Sequence, residues 1–128
     1  MADDMGIFRI DVEIENHNLP GEKRLLREVL VDTGSELSWA PASVLHSLGI
    51  TPRKRLRFQQ ADGSVLERPI GFAIIYAGDH MTTDEIVFGE PTDMMLLGAR
   101  TIEGMNVRVD LVAKKLILLG PMPVATAA

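Results

Sequence analysis

The stretch Leu30-Val31-Asp32-Thr33-Gly34-Ser35-Glu36-Leu37-Ser38-Trp39 puts an acid at the end of an apolar run, then a hydroxyl residue, a glycine and a second hydroxyl. Two physical readings fit it. Asp and Gly both form turns, so a solvent-facing turn accounts for the triplet cheaply. A carboxylate held in place for chemistry accounts for it too. The setting is unusual for a plain turn. Leu30 and Val31 before the acid, and Leu37 and Trp39 after it, suit burial. An aspartate flanked in this way loses water, which disfavours its charged form unless donors or a partner compensate. Gly34 permits a backbone approach that a side chain would block. Thr33 and Ser35 supply hydroxyls able to hold the carboxylate or nearby backbone.

Outward from this stretch, strand signals dominate. Ile7 to Glu15 alternates polar and apolar residues, the period of a half-buried strand. Asn16 to Gly21 has turn composition, and Leu25 to Val31 predicts a second strand that enters the core at Val29-Leu30-Val31. Downstream, Pro41 to Gly49 predicts a short helix: Val44, Leu45 and Leu48 share a face, Pro41 suits a first turn and Gly49 a stop. Leu56 to Gln60 and Val65 to Tyr76 predict strands joined by the turn Gln60-Ala61-Asp62-Gly63-Ser64, which carries an Asp-Gly pair. Met81 to Phe88 is another extended stretch. Asp93 to Gly98 is short and apolar and leads into one helical turn at Ala99 to Gly104. Val107 to Leu111 and Lys115 to Leu119 predict a closing hairpin. Many short strands with little helix point to an all-β fold, a small closed or partly closed β-barrel with one or two short helices.

The 128 residues, 46 % of them hydrophobic, suit one domain with a real core, expected over residues 1–120, and argue against disorder. Residues 121–128 are small and include two prolines, which predicts a flexible tail or an interface arm that orders against a partner. There is no cysteine, so neither a disulfide framework nor a thiolate metal site is available. A net charge of −5 argues against a general nucleic-acid binder, which needs a basic face. The acidic start lacks the pattern of a secretory signal, and no apolar run approaches the ~18 residues of a membrane span. These features predict a cytoplasmic protein without nucleic-acid or membrane partners.

Other chemistries find weak support. His17, His46 and His80 stand at no metal-ligand spacing and beside no elbow serine, so neither a metal site nor a serine hydrolase is indicated. Gly63 lacks the glycines and lysine of a phosphate loop. Asp79, Asp84 and Glu85 read as a solvated acidic face. Trp39, the single tryptophan, suits either the core or the wall of a cleft.

One carboxylate cannot split a peptide by acid–base catalysis, but two facing carboxylates that share a proton can. A chain with one such loop obtains the second from a two-fold homodimer. The sequence resembles the retropepsin-like aspartic proteases over residues 7–120. Val31-Asp32-Thr33-Gly34-Ser35, the turn Ala61-Asp62-Gly63-Ser64 and the segment Met95-Leu96-Leu97-Gly98 carry the resemblance in order and spacing. The helix before Leu48-Gly49-Ile50 is closer to the bacterial and DNA-damage-inducible shuttle-protein branch than to the retroviral one.

The resemblance implies a homodimeric aspartic endopeptidase that uses no cofactor and acts on peptide or protein substrates. It implies that Asp32 is catalytic within the Asp32-Thr33-Gly34 loop and that Thr33 bonds to the partner loop. It further implies that Ser35 donates to the outer oxygen of Asp32 and that Ala61, Asp62, Gly63 and Ser64 form a flap over substrate. Leu96-Leu97-Gly98 would pack beneath the loop, and Lys115 to Leu119 would join the dimer interface. Retroviral members carry arginine directly after that glycine. Here Ala99 intervenes, and Arg100 is expected to reach Glu36. The alternatives are a catalytically weak peptide-binding or regulatory dimer of the same fold, and a monomeric small-ligand barrel with Asp32 as a buried anchor.

Overall fold

The structure, a computed structural model, describes residues 7–126. The acidic start and the last two residues of the expected tail lie outside that range. Among the described residues, nine strands and two short helices follow one another as β1 (Arg9–Glu15), β2 (Lys23–Val31), β3 (Ser38–Pro41), α1 (Ala42–Ser47), β4 (Lys54–Gln59), β5 (Val65–Ala77), β6 (His80–Gly89), β7 (Leu96–Leu97), α2 (Ala99–Gly104), β8 (Val107–Asp110) and β9 (Lys115–Leu118). The all-β expectation holds. No helix among the described residues is long and apolar enough to cross a membrane.

Seven strands form one sheet in the order β1-β2-β7-β3-β6-β5-β4, and β1 also pairs with β5, so the sheet returns on itself. Its inward faces bury Val12, Ile14, Val29, Ile75, Ile86, Phe88 and Leu97, with Leu45 of α1 packed beneath. The alternation of β1 carries this: Val12 and Ile14 point inward while Arg9 and Asp11 stay exposed. Helix α1 starts at Pro41 and ends before Gly49, whose φ of 77° is the left-handed stop that glycine accepts without strain.

Strand β5 has two roles. Ile70 to Ala77 pairs with β6, whereas Val65 to Pro69 pairs with β4 alone and makes a hairpin arm. Pro69 falls in the arm, where one side of the strand makes no ladder and the missing N–H costs nothing. At the arm's tip Gly63 adopts φ 89°, which closes the Asp-Gly turn. Strands β8 and β9 form a separate antiparallel pair. Beyond it Leu119 donates its N–H to the Asn106 carbonyl at 2.9 Å. Residues 121–126 are exposed and have no regular structure.

Strand β3 was not anticipated from sequence. It runs parallel to β6 and meets β7 antiparallel at Trp39–Leu96. The two residues of β7 thus wedge between β2 and β3, and this wedge positions the Asp32 loop.

Candidate active site

Asp32 leaves β2 where β2 runs parallel to β7, in register Leu30–Leu96 and Val31–Leu97. Its N–H donates to the Leu97 carbonyl at 3.0 Å. The loop then turns back, with the Ser35 N–H on the Asp32 carbonyl at 3.1 Å. Two further backbone bonds seize the returning limb: Ala99 N–H to Ser35 O at 2.7 Å and Arg100 N–H to Glu36 O at 3.0 Å. Gly98 makes this approach possible. A Cβ there would stand 2.5 Å from the Leu37 carbonyl oxygen and 2.9 Å from that of Ser35. The Leu96-Leu97-Gly98 segment therefore underlies the loop.

The Asp32 carboxylate is half-buried and accepts the Gly34 N–H on Oδ1 at 2.9 Å. Ser35 does not act as expected. Its hydroxyl donates to the Leu37 carbonyl at 2.8 Å, so it closes the loop instead of holding the carboxylate. Thr33 is exposed and lines the hollow on the other side of Asp32 from the cleft residues Gly34 to Leu37.

A buried chain of hydroxyls supports the loop from below. Thr101 Oγ1 donates to Asp84 Oδ2 at 2.9 Å, which uses its only proton. In the 2.6 Å contact between Ser38 and Thr101 the donor is then Ser38. The Ser38 oxygen in turn accepts the Gly98 N–H at 2.9 Å. The direction is fixed throughout, from Gly98 to Ser38 to Thr101 to the carboxylate, and such chains polarise each successive bond.

This overturns the solvated-face reading of the acids. Asp79 is exposed, but Asp84 and Glu85 are half-buried and engaged. Glu85 pairs with Lys54 and, at 2.7 Å, with Arg100. Arg100 does reach Glu36, at 3.7 Å, on a surface where such a pair contributes at most about 1 kcal/mol.

Two hollows meet at Asp32. One of about 440 Å³ is lined by Val31, Asp32, Thr33, Ile102, Arg108, Val109 and Leu111. The other, about 720 Å³, is a cleft lined by the loop (Asp32, Gly34, Ser35, Glu36, Leu37), by Trp39, and by the hairpin residues Phe58, Gln59, Gln60, Ala61 and Leu66. Thr92, Asp93, Met94 and Leu96 complete it. Trp39 is thus a cleft wall, half-buried against Phe58 with ring centroids 5.0 Å apart.

Of the four expected flap residues only Ala61 lines the cleft. Asp62 is turned onto its own turn, accepting the Ser64 N–H at 2.9 Å and the Ser64 hydroxyl at 2.6 Å. These bonds, the hydroxyl's first, hold the Asp62 carboxyl below its ordinary value. Gly63 and Ser64 complete the turn and do not line the cleft. Thr92, Asp93 and Met94 had no sequence signal, since the turn that carries them gains its meaning only from the strands it packs beside.

No protein-family model matches the sequence, and no curated protein does. Among solved structures, the solution structure of Simian Foamy Virus (mac) protease matches with a TM-score of 0.50 at 16 % sequence identity, covering 74 % of this chain and 91 % of that one. At that identity the likeness speaks for fold: the chain has a retropepsin-like fold.

Proposed function

We propose that the chain is half of an aspartic endopeptidase, completed by a second copy. In this reading the sheet that returns on itself serves as a closed barrel, and α1 with Leu48-Gly49-Ile50 allies the chain to the bacterial and shuttle-protein branch. Two copies meet about a two-fold axis at the exposed Thr33 side of the loop, where the 440 Å³ hollow offers Ile102, Val109 and Leu111 for contact. The two Asp32 carboxylates then lie too close for both to be charged, and share one proton. The charged member takes a proton from water, and the protonated member donates to the peptide carbonyl oxygen. No covalent intermediate forms and no cofactor is required. Substrate lies extended in the cleft, its backbone pairing as an added strand and its side chains alternating into apolar walls.

The observation that carries this reading is Asp32 itself. It is a half-buried carboxylate at the junction of a cleft and a second hollow, on a loop that its own chain clasps from beneath. The test is Asp32→Asn. Hydrolysis of an unfolded protein should fall to background while sedimentation shows an intact dimer. Full activity in that variant, or a wild-type protein that is monomeric at every concentration, refutes the proposal. A folded dimer that binds peptides without cleaving them identifies the peptide-binding alternative.

A further inference from the structure

Arg68 lies on the hairpin arm, two positions from the cleft-lining Leu66 and on the same face of β5. It is 7 % exposed, a burial that arginine reaches only when paired. Its guanidinium forks onto one carboxylate: Nε to Asp93 Oδ2 at 2.7 Å and Nη2 to Asp93 Oδ1 at 3.1 Å. Nη1 returns to the Glu67 carbonyl at 3.0 Å, and Glu90 stands 3.5 Å from Nη2. Asp93 also organises its own turn. Its Oδ2 accepts the Glu90 N–H at 2.7 Å, and its N–H donates to the Glu90 carbonyl at 2.8 Å. Thr92, Asp93 and Met94 line the same cleft as the hairpin. One buried fork therefore joins the arm to the turn across from it in sequence.

A buried ion pair of this kind adds little stability over apolar packing, whereas its bidentate geometry fixes distance and angle. Both elements it joins are cleft walls, and neither is otherwise paired to the other in the sheet. We propose that the Arg68–Asp93 fork sets the spacing between the hairpin arm and the turn 90–94, and thereby the size of the apolar substrate side chain admitted between Leu66 and Met94. The inference rests on the cleft being a peptide site, as proposed above. Arg68 and Asp93 are positioning residues and neither reacts. Lysine in place of Arg68 keeps the charge and loses the fork.

The test uses one extended peptide series that varies a single position through Ala, Leu, Phe and Trp. It is read as kcat and KM on the wild-type chain and as Kd on Asp32→Asn, which needs no cleavage. Wild-type protein should favour one large apolar residue over Ala by at least about tenfold. Arg68→Lys and Asp93→Asn should flatten that preference to within about threefold, through KM and Kd and not through kcat. The same variants should speed amide hydrogen exchange at Glu90 and at residues 92–94. Faster exchange with the preference intact overturns the clamp, and so does a preference lost through kcat alone. If wild-type binds the series selectively without cleaving it, the protease reading fails and the clamp is still judged on Kd. If the folded protein neither binds nor cleaves any member, both are refuted.

Discussion

Replacing Thr101 by Val tests the hydroxyl chain under the loop at almost constant shape. Thr101 is fully buried, so the substitution exchanges a hydroxyl for a methyl and opens no cavity. Two bonds disappear. The one to the Asp84 carboxylate is a hydrogen bond to a charged group, worth about 1.5–3 kcal/mol, and the one from Ser38 is a neutral bond worth about 0.5–1.5 kcal/mol. The expected loss is therefore about 2–4.5 kcal/mol, large for a change that removes no volume. Urea unfolding at one fixed protein concentration measures it, since association would otherwise shift the midpoint. A second variant, Asp84→Ala, removes the terminal acceptor. With both changes made, the loss should fall short of the two single losses added by about 1 kcal/mol or more, because neither partner is then left unmatched. A loss under about 0.5 kcal/mol for Thr101→Val, or strict additivity, refutes the assigned direction and cooperativity of the chain.

Two other predictions concern the clasp and the first turn. Gly98→Ala drives a Cβ against the backbone of Leu37 and Ser35, neither of which can rotate away, so Tm should drop by the equivalent of about 1–3 kcal/mol or more; an unchanged Tm removes the clasp. Glu15 is held below its ordinary value by the Gly21 N–H first and by the Tyr76 hydroxyl second. A depressed carboxyl stabilises the fold above its unfolded value near 4.5 and loses that contribution as pH falls through the folded value. Glu15→Gln should therefore lower stability at pH 7 and flatten its decline below pH 4.5; an unaltered acid limb in thermal melts contradicts this.

The elements legible in the sequence are those whose signal is local. The alternation of β1, the Asp-Gly turn of the hairpin and the glycine stop of α1 each arise from residues a few positions apart, and each appears where expected. Strand β3 was invisible because Ser-Trp-Ala-Pro carries no period and its partners are β6 and Leu96, far along the chain. Asp84 looked solvated because nothing near it in sequence announces Thr101. Arg68 is the clearest case. On an arm otherwise rich in exposed Arg and Lys it reads as one more surface cation, and only the fold brings Asp93 beneath it. Ser35 failed for a subtler reason: a hydroxyl two residues from one acceptor and three from another is free to choose either, and it chose the Leu37 carbonyl.

Bonds within the chain suffice to hold the Asp32 loop in its turn. Leu97, Gly34, Ser35 and the close approach at Gly98 each hold it from within the chain. In the proposed dimer, association would then have no loop to build and would bring up the second carboxylate. Folding and activity should consequently separate on dilution. If the proposed homodimer is the active species, hydrolysis per chain should fall in proportion to concentration below its dissociation constant, since that species needs two chains. The fluorescence of Trp39, which packs against Phe58 in the cleft wall, should stay constant over the same range. Emission that shifts in step with the lost activity would mean that the subunits fold only on meeting. The clasp would then be a consequence of association, and the loop would not be preformed in the single chain.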